Sequence, residues 1–277
     1  MRLCITFIAA GLLVGQTPEP LGTLVDIGGY KIHLYCTGQG SPTVVAFGGF
    51  SIDWALVQPK VAKLTRVCTY DVAGTAWSDA APNATCKQRV DELHKVLRRA
   101  AVPGPYVLTG LSVGGQVSRF YAHEFPAEVA GVVLVDHAFT PKPIQKAPAS
   151  ETAPVLIFQT PITFGVEDIS DFKKLPARMQ ALHRWAAARE PQVDHSIASD
   201  DCAVQLENTS LGALPLVVVS TGNEAPGYKE LQQQLLELSS RSQQLKAERS
   251  FHAVQIDQPE VVIEAIKRAV ASVRHLR

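Results

Sequence analysis

Residues 106–115 have the sequence YVLTGLSVGG. Residues 106–109 are mostly apolar and predict a buried strand, and the residues after Ser112 have the apolar spacing of an amphipathic helix. Between them lies the pattern Gly-x-Ser-x-Gly, residues 110–114. Glycines two positions either side of the serine let strand and helix approach closely. This context predicts that Ser112 occupies a strained turn with its hydroxyl clear of the sheet, as a nucleophile.

Strands and helices alternate on both sides of this turn. Apolar runs predict further strands over residues 43–47, 66–70, 132–135 and 216–219. Amphipathic spacing predicts helices over residues 87–100 and after Pro259, and residues 24–35 have the pattern of a hairpin. Strands that alternate with helices form a parallel sheet covered on both faces, so the sequence predicts an α/β fold with a mostly parallel sheet flanked by helices.

The alternation is interrupted between residues 138 and 212. Prolines are frequent over residues 141–161, and residues 172–189 then have helical spacing. We expect residues 138–212, approximately, to form a helical cap insertion within one domain of residues 21–277. The helix of this insertion carries an apolar stripe of Leu175, Met179, Leu182 and Trp185. Such a stripe indicates helix packing, with an acyl or aromatic pocket as the alternative.

A serine hydroxyl needs a base to remove its proton. His252 follows the last predicted strand and precedes the final helix. Loops at the carboxyl ends of parallel strands are where such sheets place reactive groups. Its position therefore favours His252 as the base. The alternative interpretation is that His252 is an ordinary exposed loop histidine. Four other histidines compete for this role: His123, His137, His183 and His195.

The third member of a serine–histidine–acid triad is a carboxylate that orients the imidazole and stabilises its charged form. Asp136 directly follows the strand predicted over residues 132–135, and Glu224 follows the one predicted over residues 216–219. Both keep the chain order serine, acid, histidine. Asp136 is the preferred acid and Glu224 the alternative. If Asp136 is not catalytic, we expect its carboxylate to cap the following loop. If Glu224 is not catalytic, we expect it to be a solvated loop residue.

A developing oxyanion needs backbone N–H donors close to the serine. Val113 begins the helix, so its N–H has no acceptor within that helix and is available. We expect the second donor from the loop after residues 43–47, where two glycines let the backbone approach a substrate oxygen. The Phe50 N–H is the first choice and the Gly49 N–H the second. A plain tight turn is the alternative interpretation of this loop.

Four motifs, taken in order along the chain, resemble those of the α/β-hydrolase superfamily. They are the oxyanion loop at residues 47–50, the segment 70–79, the nucleophile elbow at 110–115, and the histidine loop around His252. The resemblance covers nearly the whole chain after residue 20. It implies the α/β-hydrolase fold and a carboxylesterase-like serine hydrolase that forms an acyl-enzyme and uses no metal or organic cofactor. The superfamily also includes amidases, peptidases, epoxide hydrolases and carbon–carbon bond hydrolases.

The chain departs from the family pattern at several positions. Phe47 and Leu111 stand where histidines are usual, and Val72 stands where arginine is frequent. Ala225 occupies the place of the usual aspartate after the penultimate strand. This last departure favours Asp136 as the acid, a placement that some members of the superfamily use. None of the departures removes the serine or the histidine.

The overall charge limits the classes of partner. The chain has 26 basic and 26 acidic residues and a predicted pI of about 7.1, so nothing attracts it to nucleic acid or to an anionic membrane surface. The predicted partner is a small molecule with an ester-like bond. The alternative to an enzyme is a binding protein that has the same fold and no catalytic activity, because a fold does not imply a function.

The first twenty residues predict an export signal. Arg2 precedes an apolar run over residues 3–14, followed by a polar segment. The run is shorter than the roughly 20 residues that span a bilayer. We expect cleavage between Val14 and Thr23, a secreted or periplasmic product, and no stable membrane insertion after removal of the signal. An uncleaved anchor, or a buried N-terminal strand in a cytoplasmic protein, is the alternative.

The remaining cysteines match no zinc-binding or Cys-x-x-Cys spacing. They are Cys36, Cys68, Cys86 and Cys202. Cys36 and Cys68 lie in or beside apolar strand-like runs and are expected to behave as small core residues. Export would permit one disulfide, whose pairing the sequence leaves open.

Overall fold

The computed structural model describes residues 17–81, 85–137, 170–189, 206, 209–222 and 227–275. Eight strands form one sheet: β1 (Thr23–Asp26), β2 (Lys31–Thr37), β3 (Thr43–Phe47), β4 (Val67–Tyr70), β5 (Tyr106–Leu111), β6 (Val129–Val135), β7 (Leu216–Thr221) and β8 (Ser242–Ala247). Their spatial order is β1-β2-β4-β3-β5-β6-β7-β8. Only the pairings of β1 with β2 and of β2 with β4 are antiparallel. The prediction of a mostly parallel sheet is confirmed.

Helices cover both faces of this sheet. The α-helices of the described residues are α1 (Gln58–Val61), α2 (Cys86–Arg99), α3 (Val113–Glu124), α4 (Ala177–Arg189), α5 (Tyr228–Leu236), α6 (Val254–Asp257) and α7 (Pro259–Arg274). Residues of α2 and α3 belong to one buried cluster, and residues of α1 and α7 belong to another. The central strands lie between these clusters. None of the described helices combines the length and the apolar character that crossing a membrane would require.

The central strands are buried because both of their faces meet helices. Every residue of β3, β5 and β7 is buried, which explains why these strands are almost continuously apolar instead of alternating. On α7 the side chains of Val262, Ile266 and Val270 face the sheet and are buried. Burial of such a side chain contributes about 1.5–3 kcal/mol. The core therefore holds the carboxyl ends of the parallel strands in fixed positions.

A disulfide joins two neighbouring strands near one edge of the sheet. Cys36 on β2 and Cys68 on β4 are direct cross-strand partners and are bonded to each other. The sequence left the pairing of a possible disulfide open; the antiparallel register places these two cysteines opposite one another, and Cys68 lies in the core as expected. Cys86 is also disulfide-bonded.

The part of the insertion that the structure describes begins with a 3-10 turn, Phe172–Lys174, and continues as α4. Three residues of the predicted stripe, Met179, Leu182 and Trp185, lie on α4 and pack in a cluster with Ile52 of a second 3-10 turn, Ser51–Trp54, which follows β3. Leu175 precedes α4 and packs in a separate cluster with Phe172. The greater part of the predicted insertion, and residues 1–16, lie outside the described residues, so the domain limits and the export signal stay predictions. The N-terminal segment is already held at Pro18, whose carbonyl accepts a hydrogen bond from Trp77 Nε1 at 2.8 Å.

Candidate active site

Ser112 lies on a strained turn between β5 and α3. Its φ is 53° and its ψ is −122°, a combination that non-glycine residues rarely adopt. A Cβ added at Gly110 would collide with the carbonyl oxygen of Gly114, and one added at Gly114 would lie 2.8 Å from the carbonyl oxygen of Phe47. Both glycines of the motif are therefore needed for the close approach of strand and helix.

The turn is fastened to β6 and to the residue after Asp136. Ser112 N–H donates to the Val135 carbonyl at 3.0 Å, and the Ser112 carbonyl is 2.9 Å from His137 Nδ1. A Cβ at Gly115 would lie 2.7 Å from the imidazole of His137. His137 thus packs directly against the start of α3 and supports the turn, although the sequence suggested it only as a competing base.

The environment of His137 keeps its imidazole neutral. Burial, and secondarily the positive charge of Arg119, lower the pKa of His137 from 6.5 to about 3. At neutral pH the ring therefore carries one proton. The neighbouring Ser112 carbonyl can only accept a hydrogen bond, so that proton is assigned to Nδ1.

We expect His137→Asn to make the fold less sensitive to acid. The unfolded chain binds a proton at this histidine below about pH 6.5, whereas the folded chain does so only near pH 3. The stability from the neutral ring is therefore fully present above pH 6.5 and is lost as the pH falls towards 3. An asparagine amide can donate to the Ser112 carbonyl without titrating. Between pH 7.5 and pH 4.5, urea unfolding should show a loss of unfolding free energy about 2 kcal/mol smaller in the variant; equal losses would contradict this.

The predicted base and the preferred acid are hydrogen-bonded to each other. His252 lies between β8 and α6, and its Nδ1 is 2.7 Å from Asp136 Oδ2. Asp136 follows β6, and its N–H donates to the carbonyl of Val219 at 2.8 Å. The His252 side chain is 34% exposed and that of Asp136 is 11% exposed. The acid is thus shielded while the imidazole stays accessible. Glu224, the alternative acid, lies outside the described residues.

The second oxygen of Asp136 is held by residues that sequence reasoning missed. Tyr228 Oη donates to Asp136 Oδ1 at 2.6 Å, and Thr221 Oγ1 lies 3.3 Å from the same oxygen. Thr221 N–H in turn donates to Tyr228 Oη at 2.9 Å. Burial, and then the nearby charge of Asp136, raise the pKa of Tyr228, so the phenol remains a donor. A tyrosine at the start of a helix gives no sequence signal for this role.

The three predicted catalytic residues lie at the same edge of the sheet. Ser112, Asp136 and His252 follow β5, β6 and β8, respectively, and these strands run parallel, so their carboxyl ends lie at the same edge. With Nδ1 of His252 engaged by the carboxylate, Nε2 is the ring nitrogen left for proton transfer.

The predicted oxyanion donors have different surroundings. Val113 is the first residue of α3, where an N–H has no intrahelical acceptor. The Phe50 N–H, the first choice for the second donor, donates to Asp53 Oδ2 at 2.9 Å and is therefore already engaged. Gly49 precedes it with a φ of 70°, a backbone conformation that favours glycine. The second choice, the Gly49 N–H, thereby becomes the preferred candidate.

Within the residues that the structure describes, no group of three or more histidine, cysteine, aspartate or glutamate side chains is arranged to hold a metal ion.

Known proteins resemble this chain in sequence and in fold. The chain is 24% identical over 242 residues to the uncharacterized protein YqjL of Bacillus subtilis, with 83% of each chain covered. It is similar in structure to a thermophilic esterase from Thermogutta terrifontis, with a TM-score of 0.67, 20% identity, and coverage of 88% of this chain and 94% of the other. Epoxide hydrolase VrEH1 from Vigna radiata matches with a TM-score of 0.72, 12% identity, and coverage of 90% and 97%.

The family is shown by a sequence model. The model of the alpha/beta hydrolase fold matches residues 44–192, which is more than half of the 277 residues. The matched segment contains both the nucleophile elbow and Asp136, and the sheet order and site geometry described above agree with it. The chain therefore belongs to the α/β-hydrolase family.

Proposed function

We propose that this hydrolase cleaves an ester-like acyl bond of a small molecule through an acyl-enzyme on Ser112. The hydrogen bond between Asp136 and His252, 2.7 Å long, carries the proposal. It joins a base and a buried acid at the sheet edge where Ser112 occupies its strained turn. A nucleophile, a base and an orienting acid are what serine acyl transfer requires.

In the first half of the reaction, Ser112 Oγ attacks the carbonyl carbon as its proton passes to Nε2 of His252. The negative charge on the carbonyl oxygen is stabilised by the N–H groups of Val113 and Gly49. The bond to the alkoxide then breaks, and His252 gives its proton to that leaving group. Asp136 stabilises the imidazolium throughout without accepting its proton.

In the second half, water attacks the acyl-enzyme. His252 accepts a proton from the water, the bond between Ser112 Oγ and the acyl carbon breaks, and His252 returns the proton to Oγ. The carboxylic acid leaves and the site is restored. Each proton has a defined position, so the chain's own residues suffice for the cycle.

Proteins of this fold hydrolyse different bonds, since the fold is shared by an esterase and an epoxide hydrolase. Similarity at such low identity extends to the fold alone, so the ester proposal rests on the serine, histidine and aspartate of this chain. A catalytically silent binding protein would not need the accessible imidazole of His252 beside a buried carboxylate.

A substrate panel tests the bond type. Purified protein is assayed with p-nitrophenyl acetate, butyrate and octanoate, with the anilide matching the preferred ester, and with styrene oxide. We expect saturable hydrolysis of at least one ester, slower hydrolysis of the anilide and no opening of the epoxide. Turnover of only the anilide or the epoxide would assign a different bond, and no turnover of any compound would favour the binding protein.

We also propose that the protein is exported before it acts. The disulfide between Cys36 and Cys68 supports this, because disulfides persist mainly in oxidising compartments. N-terminal sequencing of native protein from the medium or periplasm should find a start between Val14 and Thr23. Recovery of the protein from the cytoplasm with Met1 intact would contradict export.

A further inference from the structure

We propose that the insertion between β6 and β7 positions the two catalytic loops through a pair of bridging carboxylates, Asp53 and Asp257. Each carboxylate contacts the insertion with one oxygen and a catalytic loop with the other. The inference rests on the proposed function and adds to it: turnover depends on where the insertion sits, as well as on the residues that react.

Asp53 connects α4 to the oxyanion loop. Its Oδ1 is 2.6 Å from Nδ1 of His183, which is 130 residues away in sequence. Its Oδ2 accepts the Phe50 N–H at 2.9 Å. Because a carboxylate can accept on both oxygens at once, a single side chain fixes the distance between α4 and the residue that follows Gly49.

The link between Asp53 and His183 is shielded from water. The exposed fractions of the two side chains are 0% and 3%. The ring of His183 also packs edge-on against Phe50 at 5.1 Å and against Phe172 at 5.0 Å between centroids. A hydrogen bond to a charged acceptor is strong in such surroundings, so this contact can hold the loop and the helix in one arrangement.

Asp257 connects the start of the same insertion to the histidine loop. Its Oδ1 accepts the Asp171 N–H at 2.7 Å. Its Oδ2 accepts from the Phe251 N–H at 3.0 Å and from Ser250 Oγ at 3.1 Å. Phe251 directly precedes His252, so the position of the base is tied to the insertion in the same manner as the oxyanion loop.

The two bridges act on two different loops of the site. One sets the loop that supplies the second oxyanion donor, and the other sets the base. A displacement of about 1 Å of a reacting group can cost on the order of 100-fold in rate. His183, Asp53 and Asp257 are thus positioning residues, which act through Gly49 and His252 and not on the substrate itself.

Two substitutions of His183 separate positioning from packing. His183→Phe keeps an aromatic ring between Phe50 and Phe172 but has no donor for Asp53, whereas His183→Asn keeps a nitrogen donor near the place of Nδ1 and gives up the ring. We expect His183→Phe to lower kcat for the preferred p-nitrophenyl ester about 10- to 100-fold with KM within about threefold. His183→Asn should retain kcat within about fivefold of the wild type.

Two further readouts accompany the kinetics. The rate of covalent labelling by a fluorophosphonate should fall in His183→Phe in proportion to kcat. Amide hydrogen exchange of the peptide over residues 48–54 should rise in that variant and not in His183→Asn. Urea unfolding of each variant is the control that checks that it is folded under the assay conditions. For the second bridge, Asp257→Asn should lower kcat within the same range and raise exchange around Phe251.

The outcomes distinguish this proposal from the one it rests on. An active wild type whose His183→Phe variant keeps full kcat and an unchanged labelling rate would overturn the bridging role alone. Equal losses in His183→Phe and His183→Asn would also overturn it, because the donor would then not be what matters. A wild type that neither hydrolyses esters nor reacts with the phosphonate at Ser112 would overturn the proposed function and this inference together.

Discussion

Ser112→Ala is expected to lower kcat for ester hydrolysis about 10⁴- to 10⁶-fold. Ser112 is the proposed nucleophile, and alanine has no oxygen with which to form the acyl-enzyme. The oxyanion donors stay in place, so a small residual rate above that of water is expected. Initial-rate kinetics with the preferred p-nitrophenyl ester measure the loss.

Ser118→Ala is the matched control for this substitution. Ser118 lies on the same helix, and its Oγ donates to the carbonyl of Gly114 at 2.9 Å. Such back-bonding serines contribute little to helix stability, so kcat should remain within about threefold of the wild type. Retention of more than about a tenth of the wild-type rate in Ser112→Ala would contradict a serine nucleophile.

Asp136→Asn is expected to lower kcat about 10³- to 10⁴-fold. The carboxylate accepts from His252 on one oxygen and from Tyr228 on the other. An asparagine has one acceptor and one donor end, so it cannot satisfy both partners. The neutral amide also lacks the negative charge with which the carboxylate stabilises the imidazolium. The imidazole would then adopt the wrong tautomer or turn away from Ser112.

Glu224→Gln provides the comparison for the acid. We expect this variant to keep kcat within about threefold of the wild type, since Asp136 is the proposed acid. The opposite ranking, with Glu224→Gln far more damaging than Asp136→Asn, would move the acid to Glu224.

The central part of the fold could be predicted from the sequence because buried parallel strands are apolar throughout. The strand predicted over residues 43–47 matches β3, and the one over residues 216–219 lies within β7. The edge strand β8, with the sequence SQQLKA, was not predicted. Among the described strands it pairs with β7 alone, and it is largely exposed, so it lacks the apolar signal that burial imposes on the central strands.

The candidate site was predictable only where local sequence imposes local geometry. The nucleophile turn needs glycines at fixed offsets, so its motif identifies Ser112 directly. The bond between Asp136 and His252 joins residues 116 positions apart, and the sequence favours Asp136 over Glu224 only through the alanine at position 225, where the family usually has aspartate. The link between Asp53 and His183 depends on how the insertion docks, which residue spacing does not reveal. The partner of Cys36 likewise follows from strand register and not from spacing.

The central claim, that Ser112 is a nucleophile activated by His252, is tested most directly by covalent labelling. The purified protein is treated with a fluorophosphonate, the adduct is counted by intact mass, and its position is found by peptide sequencing in the mass spectrometer. We expect one adduct per chain, located on Ser112, and labelling at least about 100-fold slower in His252→Ala. No adduct, an adduct on another residue, or equally fast labelling without His252 would contradict it.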